Sequence, residues 1–178
     1  MYLYYTGNTM EDGDFDFTYE GRGSNTTLVT SKDGITASAK KCLLTSANYP
    51  HTLSCHVRDP KVFKEIGKYY MVLGARTRND VGCVLLYEAE DKEHFRFKQY
   101  ITSEKPFGYM WECPDLFRID GNLFLSISPQ GIAAEEYQYQ NVYQSGYYRI
   151  LGDLEDYTLS PFIEWDMGFD FYAPQSFI

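Results

Sequence analysis

The sequence predicts an all-β chain built from repeated four-stranded antiparallel units, part of a β-propeller, and three observations carry that reading. The chain holds 17 Tyr and 12 Phe, many of them in short strand-like runs: Tyr2 to Thr6, Tyr69 to Leu73, Val84 to Tyr87 and Leu123 to Ile127. Turn signals separate these runs at hairpin spacing, among them Lys32-Asp33-Gly34, Asp120-Gly121-Asn122 and Gly152-Asp153, which leaves little room for helices. Finally, RDPKVFKEIGKYYMVLGA (58–75) and ECPDLFRIDGNLFLSISP (112–129) superimpose without a gap.

Taken in chain order, residues 1–50 form a partial blade. Its YLYYTGN run matches the strand around Tyr69, with Gly7 opposite Gly74, so a strand equivalent to the first of the later units is missing. Residues 51–106 form a full blade, in which Pro60 is followed by Phe63 and then by Gly67, the site of a tight turn. Residues 107–165 repeat the pattern with Pro114, Phe117 and Gly121. Residues 166–178 begin it again with Pro174 and Phe177, as the first strand of a next blade. The prolines are 54 and 60 residues apart, and an Asp marks a late hairpin in each unit, Asp33, Asp91 and Asp153, so the repeat length is that of a propeller blade. Propellers close with about 4 to 8 blades. About three blades cannot close, and the chain is expected to be a fragment of a longer protein or to self-associate through its exposed blade edges.

Composition narrows the partners. With 25 acidic against 16 basic residues and a net charge of −9, the chain is a poor match for nucleic acid or an anionic membrane. No apolar run is long enough to span a bilayer, and the first residues lack the basic start and apolar centre of a signal peptide, so a cytoplasmic location is expected. The four cysteines, Cys42, Cys55, Cys83 and Cys113, are scattered and read as reduced packing thiols. No cofactor motif is present, and no metal site is expected, because His51, Cys55 and His56 lack a fourth ligand at suitable spacing.

The innermost strand of each blade lines the propeller channel, so equivalent first strands are where carboxylates from different blades converge. Those places are Arg58-Asp59-Pro60, Trp111-Glu112-Cys113-Pro114-Asp115 and Asp170-Phe171-Tyr172-Ala173-Pro174. Repeated acidic residues serve packing poorly, because buried unpaired carboxylates are costly. Glycoside chemistry needs such a cluster. The alternatives are ordinary: an ion-paired Glu112, a salt bridge between Arg58 and Asp59, a structural hydrogen bond for Asp115, and core packing for Trp111. Arg76, Arg78 and Lys105 are open as contacts to a substrate phosphate.

HVRDPKVF (56–63), FGYMWECPDLF (107–117), SISPQG (126–131) and GFDFYAPQSF (168–177) together resemble the signature segments of glycoside hydrolase family 32, the invertase and β-fructofuranosidase family, most of all its bacterial sucrose-6-phosphate hydrolase branch. The resemblance runs over essentially the whole chain. It implies a partial five-bladed propeller with the first blade and nucleophile strand missing, and a retaining mechanism through a covalent fructosyl intermediate. It implies general acid/base catalysis for Glu112 and transition-state stabilisation for Asp59, with Arg58, Trp111, Asp170 and Tyr172 binding substrate. The family's nucleophilic Asp belongs to a W-[ML]-N-D-P-[NQ]-G segment that these residues do not contain, so the chain alone is expected to be inactive. The competing reading is a non-catalytic carbohydrate-binding or interaction module derived from such a propeller. An arabinan-cleaving propeller glycosidase is a third, which the ECPD and DFYAPQ segments disfavour.

Overall fold

A computed structural model describes residues 1–177; Ile178, the last residue of the expected next-blade strand, lies outside the described residues. Three antiparallel sheets follow one another along the chain. The first has β1 (Tyr2–Met10), β2 (Arg22–Thr30) and β3 (Lys41–Leu44) in that order. The second has β4 (Leu53–Glu65), β5 (Lys68–Thr77), β6 (Gly82–Ala89) and β7 (Arg96–Ile101) as a four-stranded meander. In the third, β8 (Met110–Ile119), β9 (Asn122–Gln130), β10 (Gly146–Gly152) and β11 (Tyr157–Leu159) pair in sequence, and β12 (Ile163–Glu164) pairs with β10 beside β11. The fourth strand of this sheet is therefore broken in two rather than continuous. Pro161 lies at the break, where it has no N–H to donate, and Phe162 turns in to pack against Gly146.

The repeat is visible in the turns. Glu65 pairs with Lys68 and Ile119 with Asn122, so the first two strands of each full sheet are joined by two-residue loops, Ile66-Gly67 and Asp120-Gly121. All four loop residues have positive φ, between 46° and 82°, as a type I′ hairpin turn requires. At the outer hairpins, Asp33, Asp91 and Asp153 each accept hydrogen bonds from the backbone N–H groups two and three residues on, at 2.7 to 2.9 Å. One side-chain turn device thus serves all three sheets.

Ile66 is out of place in this scheme. It is β-branched, sits at φ 46° and is 92% exposed, so it pays for a left-handed backbone without burying anything. Ile66→Asn supplies the residue that such turns favour, and is expected to stabilise the fold by about 1 kcal/mol, read as a higher urea midpoint at unchanged slope.

The middle strands of the second sheet are buried on both faces. Met71, Leu73 and Ala75 of β5 with Leu85 and Tyr87 of β6 pack toward the first sheet, whereas Val72, Val84 and Leu86 join Trp111, Leu116, Leu125 and Ile127 of the third. Alternation along a strand sends successive residues to opposite interfaces, which is why YYMVLGA and CVLLYEA read as almost continuous apolar runs.

Residues 166–177, expected as the first strand of a next blade, carry no strand pairing among the described residues. Among the described residues no neighbouring strand pairs with this segment, and it is held by single hydrogen bonds instead. Ala173 N–H donates to Ser145 Oγ at 3.1 Å, Ser176 N–H to Asp115, and Lys61 Nζ to the Ser176 carbonyl.

Candidate active site

The innermost strands β4 and β8 carry the same irregularity. Arg58 pairs with Gly74 and Lys61 with Val72, leaving Asp59 and Pro60 opposite Leu73 alone; likewise Cys113 and Pro114 together oppose Ile127. These are β-bulges, and their first residues have positive φ, 61° at Asp59 and 47° at Cys113. Ala173, before Pro174, repeats the conformation at φ 53° where no strand exists. A bulge of this kind re-aims the side chains beside it. The residue two before the proline in each unit, Arg58, Glu112 and Tyr172, precedes a residue of positive φ, and the three are presented at one place.

There the three side chains meet. Arg58 donates to Glu112 Oε1 from Nε at 2.8 Å and from Nη2 at 2.6 Å. Glu112 Oε2 accepts from Gln130 Nε2 at 2.5 Å and from the Tyr172 hydroxyl. The pair is mostly withdrawn from water, with side-chain exposures of 17% for Arg58 and 15% for Glu112, so the charge-assisted bonds are weakly screened. Asp59 lies alongside: its Oδ2 accepts the Cys113 N–H at 2.9 Å, and its own N–H donates to Thr6 Oγ1 at 3.0 Å. Burial, followed by the charges of Asp59 and Glu112, pushes the Cys113 thiol up to about 12, so it stays protonated and is no nucleophile. Burial and the bond to Glu112 push the Tyr172 phenol upward as well, keeping its proton.

Two residues of this network were not singled out as site residues from the sequence. Gln130 ends β9 opposite Met110, and His56 lies two before Arg58 on the same face of β4, with its Nδ1 at 2.7 Å from Arg58 Nη1. Strand alternation is the signal that could have found His56.

The sequence expectation for Trp111 is corrected. Its ring is fully buried in the interface between the second and third sheets, its Nε1 donates to the Phe107 carbonyl at 2.7 Å, and it lies 5.6 Å from the Tyr148 ring. Gly74 and Gly82 make room for it: a Cβ on Gly74 would collide with the Trp111 carbonyl, and one on Gly82 with the indole. Adjacent residues of a strand face opposite ways, so Trp111 points away from the site of Arg58 and Glu112 and, fully buried, cannot stack on a sugar. Asp170 is exposed, and among the described residues no hydrogen bond joins it to Glu112, Arg58, Asp59 or Tyr172. Asp115 is buried, with Lys61 Nζ 3.4 Å from its Oδ2.

Toward the C-terminal ends of β4 and β8 the space between the strands becomes a cleft of about 620 Å³ lined by Phe63, Leu116 and Phe117 together with the charged side chains of Lys61, Lys64, Glu65, Asp115 and Arg118. At that end Arg118 donates to Glu65 Oε1 at 2.7 Å across the two strands. Among the described residues no group of His, Cys, Asp and Glu is arranged to hold a metal ion. No helix of the described residues is long and apolar enough to cross a membrane.

The chain matches the family model described as glycosyl hydrolases family 32 N-terminal domain over residues 1–178. It is 40% identical to the sucrose-6-phosphate hydrolase of Bacillus subtilis (strain 168), over 99% of this chain and 36% of that protein. Among solved structures it resembles the sucrose-6-phosphate hydrolase of Lactobacillus gasseri, with a TM-score of 0.83 and 30% identity over 98% of this chain and 36% of that one. It also resembles a variant of the Bombyx mori GH32 β-fructofuranosidase in complex with sucrose, with a TM-score of 0.81 and 34% identity over 97% of this chain and 36% of that one. The chain thus spans about a third of the length of the relatives it matches.

Proposed function

Because the chain belongs to glycosyl hydrolase family 32, we propose that it supplies the acid/base half of a retaining site that cleaves terminal β-fructofuranosides, with sucrose or sucrose 6-phosphate as substrate. The observation that carries this reading is a mostly buried carboxylate, Glu112, held by side chains from three successive repeat units.

In the reaction, Glu112 protonates the leaving glycosidic oxygen and then takes a proton from the water that resolves the fructosyl intermediate. Its surroundings suit an alternation between the two forms. Four donors meet its two oxygens, an arrangement for the carboxylate. When Glu112 carries the proton, Arg58 cannot accept it, since a guanidinium only donates; the Tyr172 hydroxyl can rotate and accept at Oε2. Asp59 stabilises positive charge on the fructosyl ring, and Arg58 and Tyr172 contact the sugar. The nucleophilic carboxylate comes from a part of the protein outside these residues. The four cysteines are free thiols, which agrees with action in the reducing cytoplasm.

The test is hydrolysis of sucrose and of sucrose 6-phosphate by the protein read from the full frame encoding this chain, beside the 178 residues alone. Turnover by the full protein and none by the 178 residues is the expected result. A full protein that binds fructosides without cleaving them overturns the reading in favour of a carbohydrate-binding module.

A further inference from the structure

Arg58 holds Oε1 of Glu112 while Gln130 and Tyr172 hold Oε2, and a guanidinium gripping one carboxylate oxygen through two N–H groups still has a free edge. His56 occupies that edge. Its Nδ1 is 2.7 Å from Arg58 Nη1, and because arginine has no acceptor, the contact is a hydrogen bond only if Nδ1 is unprotonated and the ring proton is on Nε2. We propose that His56 is a positioning residue for the acid/base, its Nδ1 lone pair fixing the Arg58 guanidinium so that Nε and Nη2 land together on Glu112 Oε1. The functional part of this inference rests on the fructosidase reading; the tautomer does not.

The surroundings favour the neutral ring. His56 faces Arg58 on its own strand, Arg22 on β2, Arg76 on β5 and Glu112 on β8, three cations against one carboxylate. Burial, then the charge of Arg58, draws its pKa down to about 4, so the accepting form prevails at neutral pH. Protonation would remove the acceptor and set a fourth positive charge against Arg58. The neutral ring belongs to the folded state, so stability conferred by it is complete above about pH 6.5 and is lost as pH falls toward 4.

The arrangement is tested first by the nitrogen NMR signals of the wild-type protein at neutral pH. There are three histidines, and His94 is an internal reference of the opposite kind, since its Nδ1 faces Asp91 Oδ2 at 2.7 Å and must donate. His56 is expected with Nε2 protonated and Nδ1 bare; a proton on Nδ1 overturns the proposal whatever the enzyme's substrate. The second measurement uses the full-frame protein. His56→Leu keeps the bulk and removes the acceptor, and is expected to lower kcat by about 10- to 100-fold with KM little changed. His56→Asn restores an acceptor near the Nδ1 position and is expected to recover most of that loss. A Leu variant with full kcat, a loss confined to KM, or an Asn variant as impaired as the Leu variant overturns positioning. If the wild-type protein cleaves no fructoside, the fructosidase reading and the proposed catalytic role fall together, while the tautomer still shows whether His56 holds Arg58.

Discussion

Replacing Glu112 by Gln in the full-frame protein is expected to lower kcat on sucrose by about 10²- to 10⁴-fold, the range for loss of a general acid/base. The fold should tolerate the change. The amide has the shape of the carboxylate, its oxygen can face Arg58, and Tyr172 and the Gln130 amide can each reverse from donor to acceptor. The diagnostic feature is how the loss depends on the leaving group. A fructoside whose leaving group departs readily without a proton should lose much less in its first step than sucrose does. Steady-state rates on both substrates, with the thermal midpoint of each protein, make the check. Equal loss on the two substrates, or retained sucrose turnover, would remove Glu112 from the acid role.

Trp111→Ala is expected to destabilise the protein by about 3 to 5 kcal/mol, as for a large aromatic deleted from a core. The fully buried indole fills the contact between the second and third sheets, and its Nε1 bond to Phe107 anchors the segment leading into β8. Since Glu112 follows directly, Arg58 and Glu112 would lose their mutual placement along with the interface. Denaturant unfolding measures the effect. A sugar-stacking residue behaves in the opposite way, and a variant of normal stability with a raised KM would refute the packing role.

The repeat itself was legible because the hairpins demand it: Gly67 and Gly121 sit where φ must be positive, and Asp33, Asp91 and Asp153 bond the backbone in equivalent turns. The prolines at 60 and 114 mark the bulges, although only the pairing register reveals that they are bulges. Trp111 was misread because its neighbours suggested chemistry, while the alternation that sends Glu112 one way sends Trp111 the other. Residues 166–177 have the sequence of a first strand, but a strand is a property of a pair, and among the described residues nothing pairs with them. Gln130 was hidden for a related reason, since its approach to Glu112 depends on how β9 aligns with β8.

The left-handed residue before Pro60, Pro114 and Pro174 separates two jobs that a strand normally combines. The backbone kink fixes where a side chain is delivered, and does so whether the delivered group is a cation, an anion or a phenol, as Arg58, Glu112 and Tyr172 show. The backbone thus sets where a group is delivered, while the three delivered groups are matched to one another through Glu112. Successive units act as sockets in a common mount, and a new reactivity needs fittings that match across them.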